Sequence, residues 1–166
     1  MAVTFTPYTY ADRATANSYA TVEEFEAYLA NRLNAPTIAT TEQKQLLLIA
    51  GTKRLEGEKY LGDRTYGDGV LKFPRSGLPD DDGFEFADDV IPQRVKDALF
   101  ETAIYMNSTD IIAPNDNVNY KSAKVGELAV EFKNNQLSVS DTLTSAVWYF
   151  LAPFLDFRTS SGRVTR

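Results

Sequence analysis

Apolar residues recur at helical spacing in four stretches of the chain, and the first stretch opens with a capping signal. Thr21 can accept a hydrogen bond at a helix start, and Glu24 three residues later completes a capping box. Asn34 and Pro36 are typical of a helix end. The pattern therefore predicts an amphipathic helix between Thr21 and Asn34. Its apolar side chains at helical spacing are Val22, Phe25, Leu29 and Leu33.

The second stretch has a similar start, with Thr40 as the cap and Gln43 three residues later. Five consecutive residues, Leu46–Ala50, are apolar. Such a wide apolar arc predicts a helix buried on more than one side. Gly51 costs about 1 kcal/mol relative to alanine inside a helix. Two interpretations of Gly51 stay open: it lets another backbone approach closely, or it is merely tolerated.

The third and fourth helices are predicted on either side of a polar loop. Pro92 suits the first turn of the third helix, because its missing N–H is not needed there. The fourth helix is expected to begin at Ser140 or Asp141 and to kink or end at Pro153. The apolar face of the third helix carries Val95, Leu99, Phe100, Thr102, Ala103, Ile104 and Met106. The stripe of the fourth consists of Leu143, Val147, Phe150, Leu151 and Phe154.

A strand pattern lies between these two helices. Leu128, Val130 and Phe132 alternate with polar or small residues just after Gly126-Glu127, which predicts a β-hairpin. A shorter strand is expected at residues 71–73. The elements together predict a mainly α fold, a small four-helix bundle with one β-hairpin excursion and extended N- and C-terminal arms.

No repeat or low-complexity linker divides the chain, so residues 1–166 are interpreted as one domain. Its helical core spans about residues 18–157, with an N-terminal arm at 1–17 and a C-terminal tail at 158–166. The start lacks the pattern of a signal peptide. The longest apolar run, Ala146–Leu155, is too short to span a bilayer. We therefore expect a soluble protein that is made in a cytoplasm and contacts no membrane.

The composition removes most catalytic chemistry. The chain has no cysteine and no histidine, which excludes thiolate nucleophiles, Cys-ligated zinc and the commonest general base. Carboxylate, Lys, Tyr or Thr chemistry stays open, but no carboxylate pair is recognisable. We expect a protein that is not an enzyme and has no catalytic residues, cofactor or metal.

The net charge of −6 comes from one acidic loop. Residues 80–89 hold six acidic residues and no basic one, so the rest of the chain sums to zero. An EF-hand loop with Gly83 at its sixth position would begin at Leu78, so the calcium-binding motif fails. The acids of this loop are Asp80, Asp81, Asp82, Glu85, Asp88 and Asp89.

Two features have competing interpretations. Phe73, Pro74 and Arg75 form either a recognition element or a structural unit, in which Phe73 packs and Arg75 pairs with an acid; we favour the second. The aromatic residues, 12% of the chain, are either stacking platforms for single-stranded nucleic acid or core residues. No Lys/Arg cluster accompanies them, which favours the core.

The last helix predicts a partner interface, because its aromatic residues exceed what one core-facing stripe requires. The alternative is a central helix surrounded by the other three. The tail beyond it is basic, and is either disordered or an arm that docks on a partner. The residues predicted to bind a partner are Trp148, Phe154, Phe157, Arg158, Arg163 and Arg166.

Four segments follow one another along the chain: "SYATVEEFEAYLANRL", "LKFPRSGLP", "IPQRVKDALFETAIYM" and "SAVWYFLAPFLDF". Their order resembles the small head–tail adaptors (head completion proteins) of tailed-phage necks, some of which are also labelled DnaT-like single-stranded-DNA-binding proteins. The resemblance covers nearly the whole chain, about residues 18–157. Phe73 departs from it, since relatives often carry tryptophan there.

The resemblance implies a structural virion protein at the head–tail junction, synthesised in the cytoplasm of a bacterial host. Such adaptors form homo-oligomeric rings, typically dodecamers, that dock on the portal protein and present a surface to the next neck or tail protein. Genomic DNA passes through the ring without sequence-specific contact. In such a ring the acidic loop, Asp80–Asp89, would contact a neighbouring subunit or face the channel, and residues 157–166 would dock on the portal. The balanced charge places the DNA-binding label second.

Overall fold

The computed structural model describes residues 4–80, 83–108, 122–125, 128–131 and 144–156. These residues form four α-helices: α1 (Val22–Asn31), α2 (Thr41–Leu55), α3 (Gln93–Ser108) and α4 (Ser145–Leu151). Two short antiparallel pairs accompany them, β1 (Asp63–Arg64) with β2 (Arg75–Ser76) and β3 (Ser122–Val125) with β4 (Leu128–Glu131). The fold is mainly helical with one hairpin around Gly126-Glu127, as the sequence predicts. No helix in these ranges is long and apolar enough to cross a membrane.

Helix α1 begins where the capping box places it. The Thr21 hydroxyl accepts a hydrogen bond from the Glu24 backbone, and the Glu24 carboxylate accepts one from the Thr21 backbone, at 3.2 and 2.9 Å. The helix ends at Asn31, and Leu33, which follows it, is 86% exposed. The prediction that Leu33 extends the apolar stripe is therefore wrong, because the helix ends two residues before Leu33.

Helix α2 begins after Thr40, whose hydroxyl accepts from the Gln43 backbone at 3.1 Å. Its buried face consists of Leu48, Gly51, Thr52 and Leu55. Leu46 is half exposed, so the prediction of burial on more than one side of α2 is wrong. Only one face of α2 meets the core, because α3 packs along that face and α1 covers less of it.

Gly51 lies where α2 and α3 approach closely. A Cβ placed on Gly51 would lie 2.7 Å from Leu99 Cδ1 and 3.5 Å from the Leu99 carbonyl oxygen. Leu99 is fully buried, so little room exists for it to withdraw. Of the two interpretations of Gly51, the structure supports close helix packing.

Helix α3 is the central helix and packs against both α2 and α4. The Pro92 carbonyl accepts the first hydrogen bond of α3, from the Val95 backbone at 2.9 Å. Helix α4 starts at Ser145, with Thr144 as its cap, rather than at the predicted Ser140 or Asp141. It ends in a 3₁₀ turn that contains Pro153, which agrees with the predicted effect of that proline.

Phe73 lies at the centre of the aromatic core and is 1% exposed. Its ring meets three others, with centroids 4.8 Å from Tyr60, 5.8 Å from Tyr19 and 6.4 Å from Phe154. The strand expected at residues 71–73 is displaced: β2 begins after Pro74, because Phe73 points into the core instead of pairing. The structural interpretation of Phe73 is therefore confirmed.

The structural interpretation assumed that Arg75 pairs with an acid, but among the described residues it forms no ion pair. Its guanidinium donates to backbone carbonyls, at 2.6 Å to Leu61, 3.3 Å to Lys72 and also to Gly62. These carbonyls belong to the turn before β1 and to the segment before β2. Arg75 therefore ties the two halves of the short β1–β2 pair together. Burial lowers the pKa of Arg75, but a guanidinium remains charged.

The buried charge of the core is Glu101 on α3, 8% exposed. Its carboxylate accepts from the Arg32 guanidinium at 2.6 and 3.0 Å and from the Tyr28 hydroxyl at 2.7 Å. Burial by itself would raise the pKa of Glu101, but the hydrogen bonds and the charge of Arg32 outweigh it and lower the pKa below its usual value. The network fixes the end of α1 against α3.

The N-terminal segment folds back on the domain instead of extending away. Tyr8 donates its backbone N–H to the Ser18 carbonyl at 2.8 Å, and Asn17 donates to the Thr6 carbonyl at 2.8 Å. Val70 donates to the Arg13 carbonyl at 3.0 Å. Residues 4–17 therefore form a closed loop against residues 66–70, which differs from the extended arm expected at 1–17.

Candidate nucleic-acid interface

Two loops that are distant in sequence meet in a cluster of aromatic and charged side chains. It consists of Tyr10 and Arg13 from the N-terminal loop and of Tyr66 and Asp68 from the turn before β2, and we call it the Tyr–Arg cluster. The Tyr10 and Tyr66 rings meet edge to face, with centroids 5.3 Å apart. The Arg13 guanidinium lies 4.4 Å from the Tyr10 centroid and 5.5 Å from that of Tyr66. The cluster thus places a cation against two aromatic rings.

Local hydrogen bonds hold Arg13 in this position. The Thr9 hydroxyl donates to the Asp12 carboxylate at 2.6 Å and accepts from the Asp12 backbone at 3.1 Å, which closes the turn before Arg13. The backbone bond from Val70 then fixes the carbonyl of Arg13. The opposing turn is closed by the Gly69 N–H, which donates to the Tyr66 carbonyl at 3.3 Å. Both loops are thus fixed at the point where the cluster forms.

Arg13 and Asp68 form a two-point ion pair. Arg13 Nε donates to Asp68 Oδ1 at 2.9 Å, and Nη2 lies 2.7 Å from Oδ2. Hydrogen bonding to Arg13 lowers the pKa of Asp68, and the same bond raises the pKa of Arg13. The Asp68 side chain is 57% exposed, so solvent reaches this pair.

The cluster rests on the core and borders a second arginine. The cleft beneath it is lined by Tyr8, Phe73 and Pro74 together with members of the cluster. A Cβ on Gly69 would lie 3.9 Å from both Arg64 Nη2 and the Arg13 carbonyl oxygen, so the exposed Arg64 reaches the same turn. A second guanidinium group therefore lies near the turn that carries Tyr66 and Asp68.

The arrangement has the chemistry that single-stranded nucleic acid requires. Tyr10 is 62% exposed, and an exposed aromatic ring can stack on a base of any sequence. Guanidinium groups beside it can hold the phosphates on either side of a stacked base. Neutral stacking surface and positive charge are combined within one patch.

Sequence analysis missed this cluster. It assigned Tyr10 and Arg13 to an arm and gave no element to Tyr66 and Asp68, and Arg13 is 55 positions from Asp68. The local signal was a tyrosine close to an arginine in each segment, "YADR" and "RTY", which is too short to be specific. The pairing of the two loops depends on tertiary structure.

The described part of the acidic loop forms a tight turn. The Asp80 carboxylate accepts from the Phe84 backbone at 2.7 Å, and the Asp80 N–H donates to the Phe84 carbonyl at 2.6 Å. Phe84 is 73% exposed at its tip. Glu85, Asp88 and Asp89 are exposed, and Asp81 and Asp82 lie outside the described residues. Within the parts of the chain that the structure covers, no group of three acids is placed to hold a metal ion.

The residues predicted to bind a partner on the last helix separate into three groups. Phe154 is fully buried against Phe73 and Phe86, so its assignment as a partner contact is corrected: it is a core residue. Trp148 is half-buried and lines an open cavity of about 210 Å³ with Lys59, Leu155 and other residues. Tyr149, which was not in that set, is 72% exposed. Outside the described residues lie Phe157, Arg158, Arg163 and Arg166.

Comparison with known proteins gives one family. Residues 10–166 match the model of a family described as "Putative DnaT-like ssDNA binding protein". No curated protein matches the chain, and no solved structure does. The family description names single-stranded DNA binding, which sequence analysis placed second because of the balanced charge, and it does not mention a head–tail connector. It supports DNA binding more than the neck role.

Proposed function

The chain belongs to this family of DnaT-like single-stranded-DNA-binding proteins, and we propose that it binds single-stranded DNA through the Tyr–Arg cluster. The observation that carries the proposal is the exposed Tyr10 ring, which packs against both Arg13 and Tyr66. A base stacks on Tyr10, and the neighbouring phosphates contact Arg13 and Arg64. No catalytic step is part of this function.

The charge of the chain sets the strength of the interaction. Each phosphate contact to a single strand contributes about −0.7 to the slope of log K against log salt. Two guanidinium groups therefore give a slope of about −1.4, which is much shallower than that of a protein with a long basic groove. The remaining affinity comes from stacking, which is worth about 1–3 kcal/mol per base. We expect weak, sequence-tolerant binding with a shallow salt dependence.

Replacing Tyr10 with alanine is expected to raise the Kd for a labelled oligothymidine about 5- to 100-fold, because the stacking surface is lost. Fluorescence anisotropy titrations at about 50 and about 200 mM salt measure both the Kd and its salt slope. Tyr149→Ala is the matched control, since Tyr149 is also exposed but lies on α4. It should bind like the unaltered protein.

Three results would contradict the proposal. The unaltered protein fails to bind at all, or Tyr10→Ala and Tyr149→Ala weaken binding equally, or Tyr10→Ala binds as tightly as the unaltered protein. Equal weakening would indicate general adhesion to tyrosine side chains rather than a site at the Tyr–Arg cluster.

We also propose a second candidate function, the oligomeric ring of a phage neck between the portal and the tail. The observation that favours it is the apolar surface on α4, where the exposed Tyr149 lies next to Trp148, which lines the 210 Å³ cavity. Aromatic residues of this kind are typical anchors of protein interfaces. In such a ring the acidic loop contacts a neighbour or faces the channel, and residues 157–166 dock on the portal.

Replacing Tyr149 with aspartate is expected to abolish assembly, because a buried interface cannot accept an unpaired charge. Native mass spectrometry of the chain, alone and with portal complexes, measures the number of subunits. Tyr10→Ala should assemble normally, so the two variants distinguish the two functions. A chain that stays monomeric even with portal, or a Tyr149→Asp variant that assembles normally, would exclude the role of this surface.

A further inference from the structure

Asp68 occupies the edge of Arg13 that would hold a phosphate. A guanidinium presents its donors in a planar fork that matches carboxylate and phosphate groups equally well. In this structure Nε and Nη2 of Arg13 both face the Asp68 carboxylate, at 2.9 and 2.7 Å. The Nη1 group donates elsewhere, to the Tyr10 carbonyl at 2.7 Å. The Nε/Nη2 edge of Arg13 is therefore fully used by Asp68.

The position of Asp68 makes it a removable partner. Its side chain is 57% exposed, whereas that of Arg13 is 23% exposed and is held over Tyr10. Asp68 lies between Gly67 and Gly69 in a turn whose described hydrogen bonds are made by backbone groups. Moving the carboxylate away breaks the ion pair but no core contact, and Arg13 keeps its place through Tyr10 and Val70.

We infer that Asp68 acts as an internal competitor of the DNA phosphate for Arg13, an inference that rests on the proposed function. The carboxylate covers the Arg13 fork when no strand is bound, and a phosphate must displace it. Asp68 thereby lowers the affinity of the Tyr–Arg cluster and selects for ligands that also stack on Tyr10. A free phosphate has no such stacking contact and displaces Asp68 poorly.

Replacing Asp68 with asparagine tests the inference in the full chain. The amide keeps the size of the side chain but loses the charge, so the phosphate meets a weaker competitor. Since exposed ion pairs are weak, we expect the Kd for a labelled oligothymidine to fall about two- to fivefold. Glu42→Gln is the matched control, because it changes the net charge equally. Glu42 is exposed in the first turn of α2, about 15 Å along the helix from Thr52, which accepts a hydrogen bond from the Tyr19 backbone.

The outcomes separate this inference from the proposed function. Tighter binding by Asp68→Asn with no change for Glu42→Gln supports competition at Arg13. If the unaltered protein binds but Asp68→Asn does not bind more tightly, or Glu42→Gln gains as much, the competition is excluded while DNA binding stands. If the unaltered protein does not bind, both proposals fail.

Discussion

Replacing Phe73 with alanine is expected to lower the free energy of unfolding by about 3–5 kcal/mol. The ring is 1% exposed and contacts Tyr19, Tyr60 and Phe154, so its removal leaves a cavity that three rigid aromatic rings cannot fill. That loss is a large share of the stability of a typical domain, which is about 5–15 kcal/mol. In a chain of this size it corresponds to a fall in Tm of about 6–20 °C. Urea denaturation followed by circular dichroism measures the change.

The matched control for Phe73→Ala is Phe84→Ala in the acidic loop. Phe84 is also a phenylalanine between structured segments, but it is 73% exposed. Its replacement should change the unfolding free energy by no more than about 0.5 kcal/mol. If the two variants lose similar stability, Phe73 is not the centre of the core. If Phe73→Ala loses less than Phe84→Ala, the packing described around Phe73 is wrong.

Local signals explain the parts of the fold that could be predicted. Thr21 and Thr40 cap their helices through hydrogen bonds that span three residues, so the sequence pattern contains everything needed to place them. Pro153 acts on its own backbone, and the hairpin around Gly126-Glu127 needs only neighbouring residues. Helix and strand starts of this kind depend on chemistry within one turn of the chain.

The errors concern which apolar residues are buried, because burial depends on partners elsewhere in the chain. Phe154 and Tyr149 both lie in the aromatic last segment, yet one is fully buried and the other is 72% exposed. Leu33 and Leu46 belong to the predicted apolar faces but are 86% and 50% exposed. A periodic pattern shows that a helix has an apolar side, but the packing angle of its neighbour decides how much of that side is covered.

The candidate site was beyond sequence analysis for the same reason. The Tyr–Arg cluster requires the N-terminal loop to close against the turn before β2, and that closure depends on backbone bonds such as Val70 to Arg13. The search for a basic stripe misses it, since a stripe is a feature of consecutive residues on one element. Arg13 from the N-terminal loop and Arg64 from β1 supply the charge instead, and Asp68 offsets part of it.

Replacing Glu101 with alanine is expected to lower the free energy of unfolding by about 3 kcal/mol. The substitution removes the acceptor for the Arg32 guanidinium and the Tyr28 hydroxyl. The positive charge of Arg32 at the α1–α3 contact is then left without its partner. The side chain of Arg32 is 29% exposed, so water solvates part of its charge once Glu101 is removed. We therefore expect a stability loss at the lower end of the range for broken buried ion pairs. Urea denaturation at neutral pH measures the effect.

Glu26→Ala is the matched control, because Glu26 also forms an ion pair, at 2.7 Å from Lys44, but its side chain is 49% exposed. It should cost less than about 1 kcal/mol.

The lowered pKa of Glu101 gives a second readout. A carboxylate whose pKa is lower in the folded state stabilises the protein fully above its unfolded pKa of about 4.3. That contribution disappears as the pH falls through the folded value. Below about pH 4.3 the unaltered protein should therefore lose stability more steeply than Glu101→Ala. Equal slopes, or equal losses for Glu101→Ala and Glu26→Ala at neutral pH, would show that burial does not set this ion pair apart.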